Sequence, residues 1–145
     1  MAGQQPTYTI KRMVQFAETD LAGVLHFANY YRMMEEVEHA FWRSVGWGVV
    51  MQVGDVQISW PRVATSCEYF APAHFEDDLE LRFTIEHVGR RSFTFQVEFM
   101  RGEERIALGK ATAVCCAMKG GAFGTIDVPN DVRKKLQDAV NQSLP

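Results

Sequence analysis

Residues 18–41 read ETDLAGVLHFANYYRMMEEVEHAF. Two patterns meet inside this stretch. The second half carries apolar residues at intervals of three and four: Tyr30, Met33, Met34, Val37, Ala40 and Phe41, continued by Val45. That period predicts an amphipathic helix over about 27–45, stopped by Gly46 and Gly48. The first half has no such period. An acidic pair, Glu18 and Asp20, precedes a small-residue loop around Gly23, and His26 follows. A carboxylate therefore stands just ahead of a glycine-hinged loop that opens the longest helix. A helix start offers unpaired backbone N–H groups and about half a positive charge. A loop placed there is more than a connector if something binds at the helix start.

Outward from this stretch the period changes to two. Upstream, residues 7–16 (TYTIKRMVQF) alternate imperfectly, with Tyr8, Ile10, Val14 and Phe16 on one side, and read as a strand. Downstream, Leu79, Leu81, Phe83 and Ile85 alternate with Glu80, Arg82, Thr84 and Glu86. Phe93, Phe95, Val97 and Phe99 alternate with Thr94, Gln96, Glu98 and Met100. HVGRRS joins these runs as a hairpin, and RGEER joins the second to a third. In that last run, IALGKATAVCCAM, one face carries only small residues: Ala107, Gly109, Ala111, Ala113, Cys115 and Ala117. Small residues on one face let another element come close, and the long helix is the candidate. A rod of nineteen residues is about 28 Å long, and a ten-residue strand spans about 33 Å. One helix can thus lie along one antiparallel sheet. Residues 127–143 predict a terminal helix, with Asp127 or Asn130 as its candidate cap. The class is α+β: one helix inserted after the first strand, then a run of antiparallel strands.

At 145 residues the chain is long enough for one domain with a real core, set at about 7–119 with a C-terminal extension of about 120–145. The net charge of −3 gives no global pull toward nucleic acid. The apolar runs are too short to span a bilayer. The N-terminal MAGQQPTYTI has neither a basic nor an apolar leader region, so no signal peptide is expected. Three cysteines, two of them adjacent, fit reduced thiols in a cytoplasm. His39, His74 and His87 have no metal-ligand spacing, and no glycine-rich nucleotide motif occurs, so neither metal nor cofactor is expected. No G-x-S-x-G elbow is present either.

The order strand, loop, long helix, sheet resembles the hotdog fold, one long central helix wrapped by an antiparallel sheet. Residues 18–41 resemble the motif of hotdog acyl-CoA thioesterases of the 4-hydroxybenzoyl-CoA thioesterase type. That pattern is Asp-x-x-Gly, two apolar residues, two mostly aromatic residues, then x-Asn-Tyr. Here it falls on Asp20, Gly23, Val24, Leu25, His26, Phe27, Asn29 and Tyr30. SCEYFAPAHFEDDLELRF and GRRSFTFQVEF are also similar to that family, so the likeness covers roughly residues 8–118. The resemblance implies hydrolysis of an acyl-CoA thioester by a homodimer or homotetramer. It implies that Asp20 is the central catalytic group and that the backbone N–H of Phe27 polarises the thioester carbonyl. Related enzymes often carry histidine at the position of Phe27. Here the histidine stands one place earlier, at His26, which leaves a backbone role untouched.

The chemistry is coherent on its own terms. A thioester needs a nucleophile or base, charge stabilisation on oxygen, and a leaving group. The thiolate leaves easily, since a thiol pKa is about 8.5. A carboxylate can attack the carbonyl or deprotonate a water, and free N–H groups at a helix start can hold the oxyanion. Gly23, His26 and Asn29 are candidate substrate contacts, Asn29 equally a capping or bracing side chain. Arg90 and Arg91, in one hairpin turn, are candidates for the CoA phosphates. Glu35, on the helix, is a reserve carboxylate. Two other readings stay open: a non-catalytic acyl-CoA or lipid-binding hotdog module, and a hotdog hydratase using an Asp/His pair.

Overall fold

The computed structural model describes residues 5–48 and 50–143. Residues 1–4, part of the stretch read above for a leader, lie outside the described residues, as do 49 and 144–145.

Strand β1 (Tyr8–Met13) is followed by a single 3-10 turn at Phe16–Glu18 and by the long helix α1 (Phe27–Ser44). Strands β2 (Met51–Val53), β3 (Val56–Ser59), β4 (Arg62–Tyr69), β5 (Asp78–Val88), β6 (Ser92–Arg101), β7 (Glu104–Val114), β8 (Cys116–Lys119) and β9 (Ala122–Thr125) come next, then helix α2 (Asn130–Ser143). Five strands form one antiparallel sheet in the order β1-β5-β6-β7-β4, and a small second sheet has the order β2-β3-β8-β9. This is the expected α+β layout.

The helix ends where its glycine stands. Gly46 has φ +90°, the left-handed region that costs glycine nothing. Trp47 N–H then bonds Trp42 C=O at 2.9 Å, closing the last turn. The apolar stripe of α1, Tyr30, Met33, Met34, Val37, Phe41 and Trp42, is fully buried. It packs on the inner rows of β5 and β6: the Phe41 and Phe83 rings are 5.0 Å apart, and those of Trp42 and Phe93 5.7 Å. Burying each such side chain contributes about 1.5–3 kcal/mol. Glu38 is buried in the same interface, ion-paired to Arg62 and bonded by Trp42 Nε1 at 3.3 Å. The small face of β7 serves the close approach. A Cβ on Gly109 would sit 2.4 Å from Met34 Sδ, so glycine admits that side chain where a larger residue would push it aside.

Three elements differ from the sequence reading. Strand β1 stops at Met13, and Phe16, in the 3-10 turn, is 74% exposed instead of sharing a buried row. The last long run breaks at Cys115, where the chain leaves the large sheet for the small one. Cys115 and Cys116 are therefore both buried, although strand alternation would separate them. Helix α2 starts after Pro129, whose C=O accepts from Arg133 N–H at 2.9 Å, while the Asp127 carboxylate is held by Arg90 and Arg91.

Candidate active site

The loop between β1 and α1 is tied down at each end and in its middle. Arg12 holds the Glu18 carboxylate (Nη1–Oε1 2.8 Å) and also reaches Glu36 on α1 (Nε–Oε2 3.0 Å). The same carboxylate accepts from Gln15 N–H at 2.7 Å. Partial burial pushes Glu18 up, but the Arg12 and Gln15 hydrogen bonds outweigh it and hold the carboxyl below its usual range. The Glu18 backbone C=O accepts from His26 N–H at 2.9 Å and from Asn29 Nδ2 at 2.8 Å. Glu18 thus organises the loop by charge and by backbone.

Inside this frame sits a tight turn. Gly23 N–H bonds Asp20 C=O at 2.9 Å, and Gly23 has φ +82°. No neighbour lies within 4 Å of a Cβ built there, so the backbone conformation alone selects glycine. The Asp20 side chain reinforces the turn. Its Oδ1 accepts from Ala22 N–H at 2.9 Å and Val24 N–H at 3.3 Å. No protein donor among the described residues meets Oδ2. One carboxylate oxygen holds the loop and the other has no protein partner among the described residues.

The helix start completes the arrangement. His26 is the N-cap, with φ −63° and ψ 135°, and its Nδ1 accepts from Ala28 N–H at 3.3 Å. That contact requires an unprotonated Nδ1. Ala28 and Asn29 N–H are both satisfied by His26, whereas no acceptor among the described residues meets the N–H of Phe27. The first amide of α1 is thereby left open, at the positive end of the helix dipole.

A pocket of about 400 Å³ opens at this helix start, lined by Asp20, Val24, Leu25, Phe27, Tyr30 and the segment Tyr69–Pro72. Tyr69, the last residue of β4, donates its hydroxyl to Phe27 C=O at 3.2 Å. Its ring meets Tyr30 edge-on at 4.9 Å. Burial pushes the Tyr30 phenol up to about 12, so it stays neutral at any working pH. Four aromatic side chains, Phe27, Tyr30, Tyr69 and Phe70, line the pocket with Val24, Leu25, Ala71 and Pro72, and Asp20 and the Phe27 amide share it.

Of the residues singled out in the sequence, Asp20 and Phe27 come together in this pocket. Gly23 shapes the turn, and His26 and Asn29 brace the loop from behind. Glu35 is exposed on α1 and lies off this pocket. Arg90 and Arg91 stand in the β5–β6 hairpin, each paired with Asp127 at 3.0 and 2.8 Å. The eleven residues of β5 put that hairpin about 36 Å from the pocket end of the strand. Within one chain they do not reach the pocket. Sequence reasoning missed Tyr69, Phe70, Ala71 and Pro72. They arrive through a pairing between distant segments: Leu25 N–H bonds Ala73 C=O at 2.8 Å, and Val24 bridges His74. No local signal marks such a meeting. Among the described residues no group of His, Cys, Asp and Glu could hold a metal ion, and no helix is long and apolar enough to cross a membrane.

Residues 22–108 match the model of the thioesterase superfamily, and the chain belongs to that family. A protein of Aquifex aeolicus (strain VF5) is 32% identical over 131 residues, covering 90% of this chain and 98% of its own. The 1,4-dihydroxy-2-naphthoyl-CoA hydrolase of a Synechocystis strain is 32% identical over 116 residues, 77% of this chain and 83% of its own. Among solved structures, a gentisyl-coenzyme A thioesterase superposes with a TM-score of 0.75 at 25% identity, over 88% of this chain and 98% of its own. The protein is a hotdog-fold thioesterase, a thioester hydrolase, as the motif in residues 18–41 implied.

Proposed function

We propose that the chain hydrolyses acyl-CoA thioesters at the pocket before α1, with Asp20 as nucleophile or general base and the Phe27 N–H as the carbonyl's hydrogen-bond donor. The observation that carries this is the pairing of a half-engaged carboxylate with an unengaged helix-start amide in one pocket. In the nucleophilic version an Asp20 oxygen bonds the carbonyl carbon, the C–S bond breaks, CoA leaves as thiolate, and water then cleaves the acyl-aspartyl anhydride. In the general-base version Asp20 takes a proton from the attacking water. Both place the oxyanion on the same amide, whose worth is greatest in a water-poor, preorganised site.

The acyl group we infer is aromatic. Phe27, Tyr30, Tyr69 and Phe70 wall the pocket, and flat side chains of this kind favour flat ligands. The CoA esters named for the Synechocystis and gentisyl relatives are of that class. The hydratase alternative asks for an acid–base histidine, but here His26 Nδ1 is committed to the helix cap and its side chain lies off the pocket.

The active unit we infer is a homodimer or a dimer of dimers in the cytoplasm. β4 is an open sheet edge, its row from Val63 to Ser66 is exposed, and its last residue lines the pocket. A second copy pairing along that edge would finish both the sheet and the pocket wall.

The test is a hydrolysis panel of aryl-, short-chain and long-chain acyl-CoAs with thiol detection, plus an enoyl-CoA assayed for water addition. The expected result is thiol release, fastest with an aryl ester. Binding of every ester without turnover would favour the non-catalytic module, and hydration of the enoyl-CoA would favour the hydratase.

A further inference from the structure

We infer that Arg101, at the end of β6, is a positioning residue for the reaction: it clamps the segment 72–77 on which the Asp20 loop is templated. The inference rests on the proposed role of Asp20 and Phe27. Arg101 does not itself line the pocket and meets it only through the backbone of Pro72. Its Nη1 donates to Pro72 C=O at 3.1 Å and to Asp77 Oδ2 at 2.6 Å. Its Nε and Nη2 are held by Glu104 at 3.2 and 2.6 Å, which fixes the plane of the guanidinium. Asp77 Oδ2 also accepts from His74 N–H at 2.8 Å. One cation thus pins both ends of a six-residue segment whose middle is the template.

That template is short and specific. Ala73 is completely buried, and its C=O accepts from Leu25 N–H at 2.8 Å. Val24 bridges His74. Val24 in turn holds Asp20 twice: its C=O accepts from Asp20 N–H at 2.8 Å, and its N–H donates to Asp20 Oδ1 at 3.3 Å. The path from Arg101 to the Asp20 carboxylate therefore alternates hydrogen bonds with short backbone steps: Arg101 to Asp77, Asp77 to His74, along the chain to Ala73, across to Leu25, and from Val24 to Asp20. Beyond Leu25 the next backbone amides are His26, the cap, and Phe27, the open donor. The same clamp sets both halves of the site.

The segment needs a clamp because it is not regular structure. Two isolated bridge contacts and the paired backbone hydrogen bonds of Val14 with Glu76 and Asp77, both 3.0 Å, join it to the loop, with no strand ladder. Glu76 adopts φ +69°, a left-handed conformation that a residue with a Cβ holds only when its surroundings impose it. The ion pair is semi-buried, with side-chain exposures of 30% and 24%, and a planar fork serves several acceptors at once where an ammonium serves one poorly.

Loss of the clamp should loosen geometry and leave the pocket's walls in place. Misplacement of about 1 Å can cost on the order of a hundredfold in rate. Steady-state kinetics on the best acyl-CoA, with thermal melting, should show Arg101→Ala lowering kcat about ten- to a hundredfold while KM stays within about threefold. Arg101→Lys, which keeps the charge but cannot span both acceptors, should recover part of that loss, and Asp77→Asn should reproduce a smaller share of it. The decisive arm is the double variant. Placed on Asp20→Asn, whose turnover is already lost on the reading proposed, Arg101→Lys should add no more than about a twofold further loss, because residues acting as one unit are non-additive. Near-wild-type kcat in the Arg101 variants, a change confined to KM, or a full extra loss in the double variant would each overturn the inference. An active Asp20→Asn single variant would instead overturn the proposed function itself. If Arg101→Ala does not fold, the Lys and Asp77→Asn variants carry the same test.

Discussion

At Asp20 the two carboxylate oxygens stand in different surroundings, and the proposed mechanism gives each its own job. Oδ1 closes the turn through Ala22 and Val24, while no protein donor meets Oδ2 among the described residues. On the proposed mechanism, substitution by alanine should mix a catalytic loss with a structural one, whereas Asp20→Asn keeps an oxygen acceptor for the turn and removes the charge. Gly23 separates the roles differently. Its φ of +82° sits in open space, so Gly23→Ala clashes with nothing and pays only the left-handed backbone cost of about 1–2 kcal/mol. Differential scanning calorimetry should find a destabilisation of that size, and turnover should fall because the strain is relieved by moving Asp20. Gly109 is the opposite case: its backbone is ordinary but the space is taken. Gly109→Ala forces Met34 aside and should cost about 1–3 kcal/mol. An unchanged melting temperature for that variant would mean that α1 and β7 are not in such close contact.

At the scale of elements, α1 and strands β5, β6 and β7 were legible because each has a long, clean period, whereas β1 alternates imperfectly and the exposed edge strand β4 shows no alternation. Tyr30 to Val45 repeats at three and four, and Leu79 to Ile85 and Phe93 to Phe99 repeat at two. The small second sheet was not. Its strands are three or four residues long, too short for a period to show. The turn residues that could have revealed it are present: Gly54–Asp55 joins β2 to β3, and Gly120–Gly121 joins β8 to β9, with φ positive at all three glycines. Asp20, Gly23 and the helix start were legible as a local arrangement. Tyr69 to Pro72 were not, because they reach the site through pairing across some fifty residues, for which a single sequence carries no mark. The loop's own brace makes a prediction of its own. Glu18 C=O is held by Asn29 Nδ2, so Asn29→Ala should leave substrate affinity nearly unchanged while lowering kcat. A rise in KM at constant kcat would make Asn29 a substrate contact instead.

For the whole molecule, two properties follow from charge and from edges. Burial pushes the Asp77 carboxyl up, but the His74 N–H and the Arg101 guanidinium outweigh it and hold the carboxyl below its usual range; Glu18 is held low in the same way by Arg12 and Gln15. For a carboxylate depressed in the folded state, the stabilisation is complete above its unfolded pKa of about 4 and disappears as pH falls through the folded value. Thermal melts should therefore be flat from neutral pH down to about 5 and drop steeply below 4, and the acid drop should be shallower for Asp77→Asn. The second property is assembly. With β4 exposed along its row and the pocket open at its end, light scattering should find a dimer or tetramer as the active species. A fully active monomer would contradict the proposed interface.

The most direct test of the account is turnover by Asp20→Asn on the best acyl-CoA, measured beside its melting temperature and its binding of a non-hydrolysable analogue. The variant keeps the turn, the open Phe27 amide and the aromatic walls, and lacks only the charge. The account predicts a loss of about 10²–10⁴ in kcat, with near-normal melting and binding that is retained or tighter, since a negative charge beside an anionic ligand is gone. A variant that melts normally and keeps more than about a third of wild-type turnover, far outside that range, would contradict it.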